Sequence, residues 1–230
     1  MNEENESLPE GLSSEEAHRI IKAKVHRIDQ EFTEAFEFIR RYEKSVSFFG
    51  SARFSENSPH YQKARDLAQK ISELGYVILT GGGGGVMEAA NRGAFEAGKE
   101  SVGLNIRLQN KQILNSYTTD SMKFDYFFIR KVALSFAAEA YLFFPGGFGT
   151  LDEFFEILTL IQTRKIRKVP IILIGRDYWD DLHTFIKKTV YSKHKAIDAS
   201  NMDLYTITDS DEEILEIIKR VPIKPALNKK

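Results

Sequence analysis

Short apolar runs recur along this 230-residue chain, and three of them end in turns of small residues that lead into segments with helical spacing. Val46-Ser47-Phe48-Phe49 runs into Gly50-Ser51-Ala52-Arg53. Tyr76-Val77-Ile78-Leu79 runs into Thr80 and five consecutive glycines, Gly81 to Gly85. Ala140-Tyr141-Leu142-Phe143-Phe144 runs into Pro145-Gly146-Gly147-Phe148-Gly149-Thr150. Further runs at 101–106 and 170–174 have the same character. Nearly uninterrupted apolar runs of this length suit strands buried on both faces. Alternating with helices, they imply a parallel sheet covered on both sides. The spacing predicts helices over 14–42, 61–74, 86–97, 130–138, from Thr150 onward, 178–190 and 212–219, with Gly75 and Gly98 as stop signals. Ser13 and Glu16 have the spacing of a capping box for the first of these. The expected organisation is a single α/β domain at 44–221, preceded by an N-terminal helix at 13–43. An acidic, disordered tail is expected at 1–12 and a polar tail at 222–230.

Composition narrows the function. A net charge of -1 argues against a general nucleic-acid binder, whose affinity rests on a basic face. The chain has no cysteine, which excludes disulfides, thiolate metal sites and a cysteine nucleophile. No apolar run approaches the ~20 residues of a membrane span, and the N-terminus is acidic and polar, so a cytoplasmic location is expected. The five histidines lack metal-ligand spacing, and no metal or other cofactor is expected.

In a parallel α/β sheet, ligands bind beyond the carboxyl ends of the strands, where the three small-residue loops lie. Such a loop at a helix start offers backbone N–H groups and the positive end of the helix dipole to an anion. The five-glycine loop is neither a Walker loop nor a G-x-G-x-x-G fingerprint. It is either a flexible turn or a place of close backbone approach to a ligand. Glu88 follows it in a first helical turn, where pairing with the dipole and contact with a ligand are both open. Glu153 is open in the same way. Thr150-x-x-Glu153 has capping-box spacing, yet a cap does not require the permissive Pro-Gly-Gly-x-Gly before it. Arg130-Lys131 at a helix start is either a solvated pair or an anion-recognition element, since arginine suits bidentate phosphate contacts.

These motifs resemble those of the LOG family, the cytokinin riboside 5′-monophosphate phosphoribohydrolases and related nucleotide 5′-monophosphate nucleosidases, many of which carry an old label of lysine decarboxylase. The resemblance rests on the Pro145–Glu153 stretch, which matches PGGxGTxxE, and on Phe49–Arg53, Thr80–Ala94 and Phe128–Lys131 in the family's order. It covers about residues 45–190. It implies a Rossmann-like, doubly wound α/β fold, usually a homodimer, and hydrolysis of a nucleoside 5′-monophosphate such as AMP to free base and ribose 5-phosphate. By the same resemblance Arg130 and Glu153 are catalytic. Gly146, Gly147, Gly149 and Thr150 bind phosphate, while Ser51, Gly81, Gly82, Gly83, Met87, Glu88 and Lys131 contribute to substrate binding. The base is expected near Phe49 and Met87. The chain departs from the family pattern at Gly84, where proline is frequent, and at Lys111, where relatives often carry an acid. A non-catalytic nucleotide-binding or sensor protein of the same fold is the alternative. A lysine decarboxylase would need pyridoxal phosphate on a lysine, and no lysine has a recognisable context for it.

Overall fold

The computed structural model describes residues 13–107 and 113–221; the expected tails at 1–12 and 222–230 and the departure at Lys111 lie outside them. Seven parallel strands form one sheet: β1 (Ser45–Phe49), β2 (Val77–Thr80), β3 (Ser101–Ile106), β4 (Asp120–Phe124), β5 (Ala140–Phe143), β6 (Ile171–Leu173) and β7 (Thr206–Ile207). Their spatial order is β4-β3-β2-β1-β5-β6-β7. From β1 the chain first builds outward on one side to β4, then returns to lay β5 on the other side of β1. That reversal makes this a doubly wound, Rossmann-like sheet, and the crevice between β1 and β5 is its topological switch point.

The helices are α1 (Ser14–Ile39), α2 (Pro59–Glu73), α3 (Val86–Glu96), α4 (Phe127–Ala137), α5 (Phe148–Gln162), α6 (Arg176–Phe185) and α7 (Asp211–Lys219). Alternating side chains on each strand feed two cores. Phe49, Tyr141 and Phe143 pack toward α1, α4 and α5. Phe48, Leu142 and Phe144 pack toward α2, α3 and α7. Every residue of β1 is buried, and only small Ser45 and Ser47 interrupt its apolar run.

The expected elements form, with shifts. The Ser13–Glu16 capping box is present, both halves made. Helix α1 ends at Ile39, and only its C-terminal part is buried, through Ala35, Phe38 and Ile39; Val25 remains 58% exposed. Helix α6 does not run to Val190 as an α-helix but passes into a π-helical segment at Ile186–Lys193. Strands β4 and β7 were not expected. Both are edge strands with one neighbour, and β4, Asp-Ser-Met-Lys-Phe, has the polar sequence that an edge tolerates.

Candidate active site

The carboxyl ends of β1 and β5 lie level, since Phe49 pairs with Phe143, and Ser47 pairs with Leu79 on β2. The three small-residue loops therefore leave the sheet side by side. Backbone hydrogen bonds through one residue tie them together. Ser51 N–H donates to the Pro145 carbonyl (3.0 Å), and the Ser51 carbonyl accepts from Val86 N–H (3.0 Å). Gly85 permits this closeness: its φ is +63°, and a Cβ there would lie 2.2 Å from the Ser51 carbonyl oxygen. Below, a buried network fastens the glycine loop. Asn115 Nδ2 donates to the Gly83 carbonyl and to Asn91 Oδ1, which also accepts from Thr80 Oγ1.

These loops border a cleft of about 850 Å³. Of the residues expected at the site, it brings together Ser51, Gly81, Met87, Arg130, Gly146, Gly147, Gly149, Thr150 and Glu153. Phe49, Ile106, Phe127 and Leu134 add apolar wall. Gly82, Gly83, Glu88 and Lys131 do not line it. Gly82 and Gly83 face the 114–115 segment, where their carbonyls accept from Asn115. Glu88 does lie in the first turn of α3, but its carboxylate accepts from Tyr61 Oη (3.0 Å) on α2. Lys131 pairs with Asp152 (2.7 Å) and Glu156 (3.2 Å) on α5.

The Pro-Gly-Gly turn differs from its expected form. Helix α5 begins at Phe148, with Gly147 at the N-cap and no side-chain cap. Thr150 is thus the third residue of the helix, and Glu153 lies in its second turn, so the expected capping box is not made. Thr150 Oγ1 instead packs on Gly146, where a Cβ would approach it to 2.1 Å. Thr150 N–H donates to the Gly147 carbonyl, which leaves Phe148 and Gly149 to present N–H groups at the helix start. A Cβ at Gly147 or Gly149 would meet nothing within 4 Å. Bare backbone at these two positions serves access rather than packing. Phe148 between them is 91% exposed. Tyr178 Oη donates to the Gly146 carbonyl (2.8 Å) and steadies the turn from α6. No sequence signal marks Tyr178; only its place after the β6 turn brings it here.

Arg130 is also placed differently. Helix α4 begins at Phe127, so Arg130 lies one turn in and is 8% exposed. Its Nε donates to the Leu104 carbonyl of β3 (2.7 Å). Its guanidinium lies against Gly81, where a Cβ would stand 2.2 Å from Nη2. Burial pulls Arg130 below the ordinary arginine value, and the charge of Glu153 opposes that pull.

Glu153 is 6% exposed, and its Oε2 has no hydrogen-bond partner. Burial pushes its pKa up to about 8, with Arg130 and Lys131 acting to lower it and Glu156 and Asp152 to raise it. In the second turn of the helix, burial acts against the dipole and favours the neutral carboxyl.

The model of a family described as "Possible lysine decarboxylase" matches residues 87–218. Over 154 residues the chain is 30% identical to the cytokinin riboside 5′-monophosphate phosphoribohydrolase LOG7 of Arabidopsis thaliana, covering 65% of this chain and 70% of the relative. The chain belongs to the LOG family. Another LOG protein, the cytokinin riboside 5′-monophosphate phosphoribohydrolase LOG of Oryza sativa subsp. japonica, is 25% identical over 185 residues, covering 79% of this chain and 75% of the relative. The fold extends beyond such enzymes. The molybdenum cofactor binding protein of the phototrophic bacterium Rippkaea orientalis superposes with a TM-score of 0.57 at 21% identity, over 77% of this chain and 96% of that one. The decarboxylase label does not fit this LOG protein's cleft. Pyridoxal phosphate needs a lysine for its Schiff base, and among the described residues no lysine lines the cleft.

Proposed function

We propose that this chain hydrolyses the N-glycosidic bond of a nucleoside 5′-monophosphate, either AMP or a cytokinin riboside 5′-monophosphate, releasing the free base and ribose 5-phosphate. The observation that carries this reading is Glu153: a buried carboxyl, its pKa raised by that burial, in one cleft with Arg130 and an open helix N-terminus. The relatives named for this activity support it.

The 5′-phosphate would sit on the N–H groups of Phe148 and Gly149, where the glycines leave the backbone bare. That anchors the sugar and makes remote binding energy serve orientation. The base would lie on the apolar wall that includes Phe49 and Met87. As the C1′–N bond breaks, its electron pair goes to the base, and Glu153 gives its proton to a base nitrogen. The carboxylate then faces the cationic sugar, which it stabilises as in glycoside hydrolysis. Water adds to C1′ and returns a proton to Glu153. Arg130, held by Leu104, limits how far burial raises Glu153 and contacts the phosphate.

Incubation with a panel of nucleoside monophosphates should release free base. Glu153→Gln should lower kcat by about 10²–10⁴-fold while AMP still binds. Near-normal turnover in that variant sinks the assignment. Binding of AMP by the wild-type chain without base release would favour the non-catalytic alternative.

A homodimer belongs to the same proposal. Phe128 and Phe136 on α4 and Phe155 on α5 leave large apolar side chains in solvent on neighbouring helices.

A further inference from the structure

Lys131 follows Arg130 in sequence but lies outside the cleft, and its contacts define a different task. Its Nζ reaches Asp152 Oδ2 at 2.7 Å and Glu156 Oε2 at 3.2 Å, the second an ion pair rather than an aligned hydrogen bond. Its side chain is 18% exposed, so solvent screens this cluster only in part. Asp152 and Glu156 flank Glu153 on α5, and Glu156 shares its helix face at a spacing of three. Without a cation, two carboxylates would stand next to a third that must lose and regain a proton. The groups acting on Glu153 come from three elements: Arg130 and Lys131 on α4, Asp152 and Glu156 on α5, and the buried Tyr141 hydroxyl on β5.

We propose that Lys131 is a positioning residue: by pairing with Asp152 and Glu156 it offsets part of the negative charge flanking Glu153 and so sets the pH range over which Glu153 can exchange its proton. This rests on the catalytic role proposed for Glu153 and removes Lys131 from the substrate-binding set. The consequence is a separation of tasks between neighbours in sequence. Arg130 lines the cleft, whereas Lys131 pairs with the carboxylates beside Glu153 and acts on it only through charge.

The deciding experiment reads Glu153 directly. In protein carrying ¹³C-labelled glutamate, the side-chain carboxyl resonance of Glu153 is the one lost in Glu153→Gln, and its titration needs no substrate. Lys131→Met should move the midpoint upward by about one pH unit, the size expected for removing one nearby charge under partial screening. Lys131→Arg should keep the wild-type midpoint. The double variant Lys131→Met, Glu156→Gln should return close to it, because one cation and one anion leave together. Glu156→Gln alone should move it down, which keeps the proposal testable should Lys131→Met fold poorly. In turnover, the alkaline fall of kcat should shift with the midpoint while KM for AMP changes less than twofold. An unchanged midpoint in Lys131→Met, or a double variant that does not return, overturns the proposal. So does a large rise in KM with an unmoved pH profile, the signature of direct phosphate contact. Midpoints that move as expected in a protein releasing no base would uphold this electrostatic role and defeat the hydrolase reading instead.

Discussion

Glu153 takes up its proton more tightly in the fold than in the unfolded chain, because burial disfavours the carboxylate. Protonation therefore contributes stability that is fully present below the ordinary value of 4.5 and is lost as the pH rises through about 8. Glutamine at this position has no charge to bury. The stability gained by Glu153→Gln should grow between pH 5 and pH 9 by on the order of 4 kcal/mol, read from thermal unfolding at the two pH values. A gap that does not change with pH would show the carboxyl to be ionised throughout. Gly81 offers a second test at this scale. A methyl group there collides with Arg130 Nη2 and with Met87 Sδ at 2.9 Å. Gly81→Ala should keep the fold and lower kcat by about 10²-fold through a displaced guanidinium. Residue types were legible in the sequence here, because both Glu153 and Arg130 stand in recognisable motifs. Their electrostatic states were not, since burial depends on what α4 and α5 pack against.

At the scale of elements, the start of α5 shows where local rules stop. Threonine is a favoured N-cap and glycine a poor helix former, so the sequence points to a start at Thr150. The helix instead begins two residues earlier, at Phe148. Tyr178 holds the Gly146 carbonyl, and Thr150 packs beneath Gly146, so tertiary contacts override the local preference. Tyr178→Phe should loosen this turn and weaken AMP binding by about 1 kcal/mol, roughly fivefold in Kd, with little change in melting temperature. The buried strands were legible because each is mostly apolar, with only small or amide side chains such as Ser47 and Asn105 between. The edge strands β4 and β7 were hidden by their polar sequences, as was the register that sets Lys131 against α5. Close packing of α2 on α3 gives a stability test. A Cβ at Gly93 would stand 2.1 Å from the Arg65 carbonyl oxygen. Gly93→Ala should cost about 1–3 kcal/mol in denaturant unfolding.

For the whole molecule, the doubly wound order brings residues far apart in sequence to one rim. Loops after β1, β2 and β5 converge because the chain reverses direction across the sheet at β1. The alternation of strands and helices made the parallel sheet foreseeable, but strand order has no local signature. Association belongs to this scale too. The exposed phenylalanines of α4 and α5 should be covered in solution, and sedimentation should return twice the 26.3 kDa chain mass. A chain that stays monomeric at micromolar concentration would remove the dimer from the proposal.

The joining of all three loops through the main chain of Ser51 has a consequence for how this rim can vary. Both bonds use backbone atoms, so they survive a change of side chain: Ser51→Ala leaves each of them intact. What they do not survive is a change of length. One residue added to any of the three loops would put the Ser51 amide or carbonyl out of step with Pro145 or Val86, and the misfit would reach the other two. Substitutions at this rim leave the joint in place, one side chain at a time, whereas insertions and deletions disturb it.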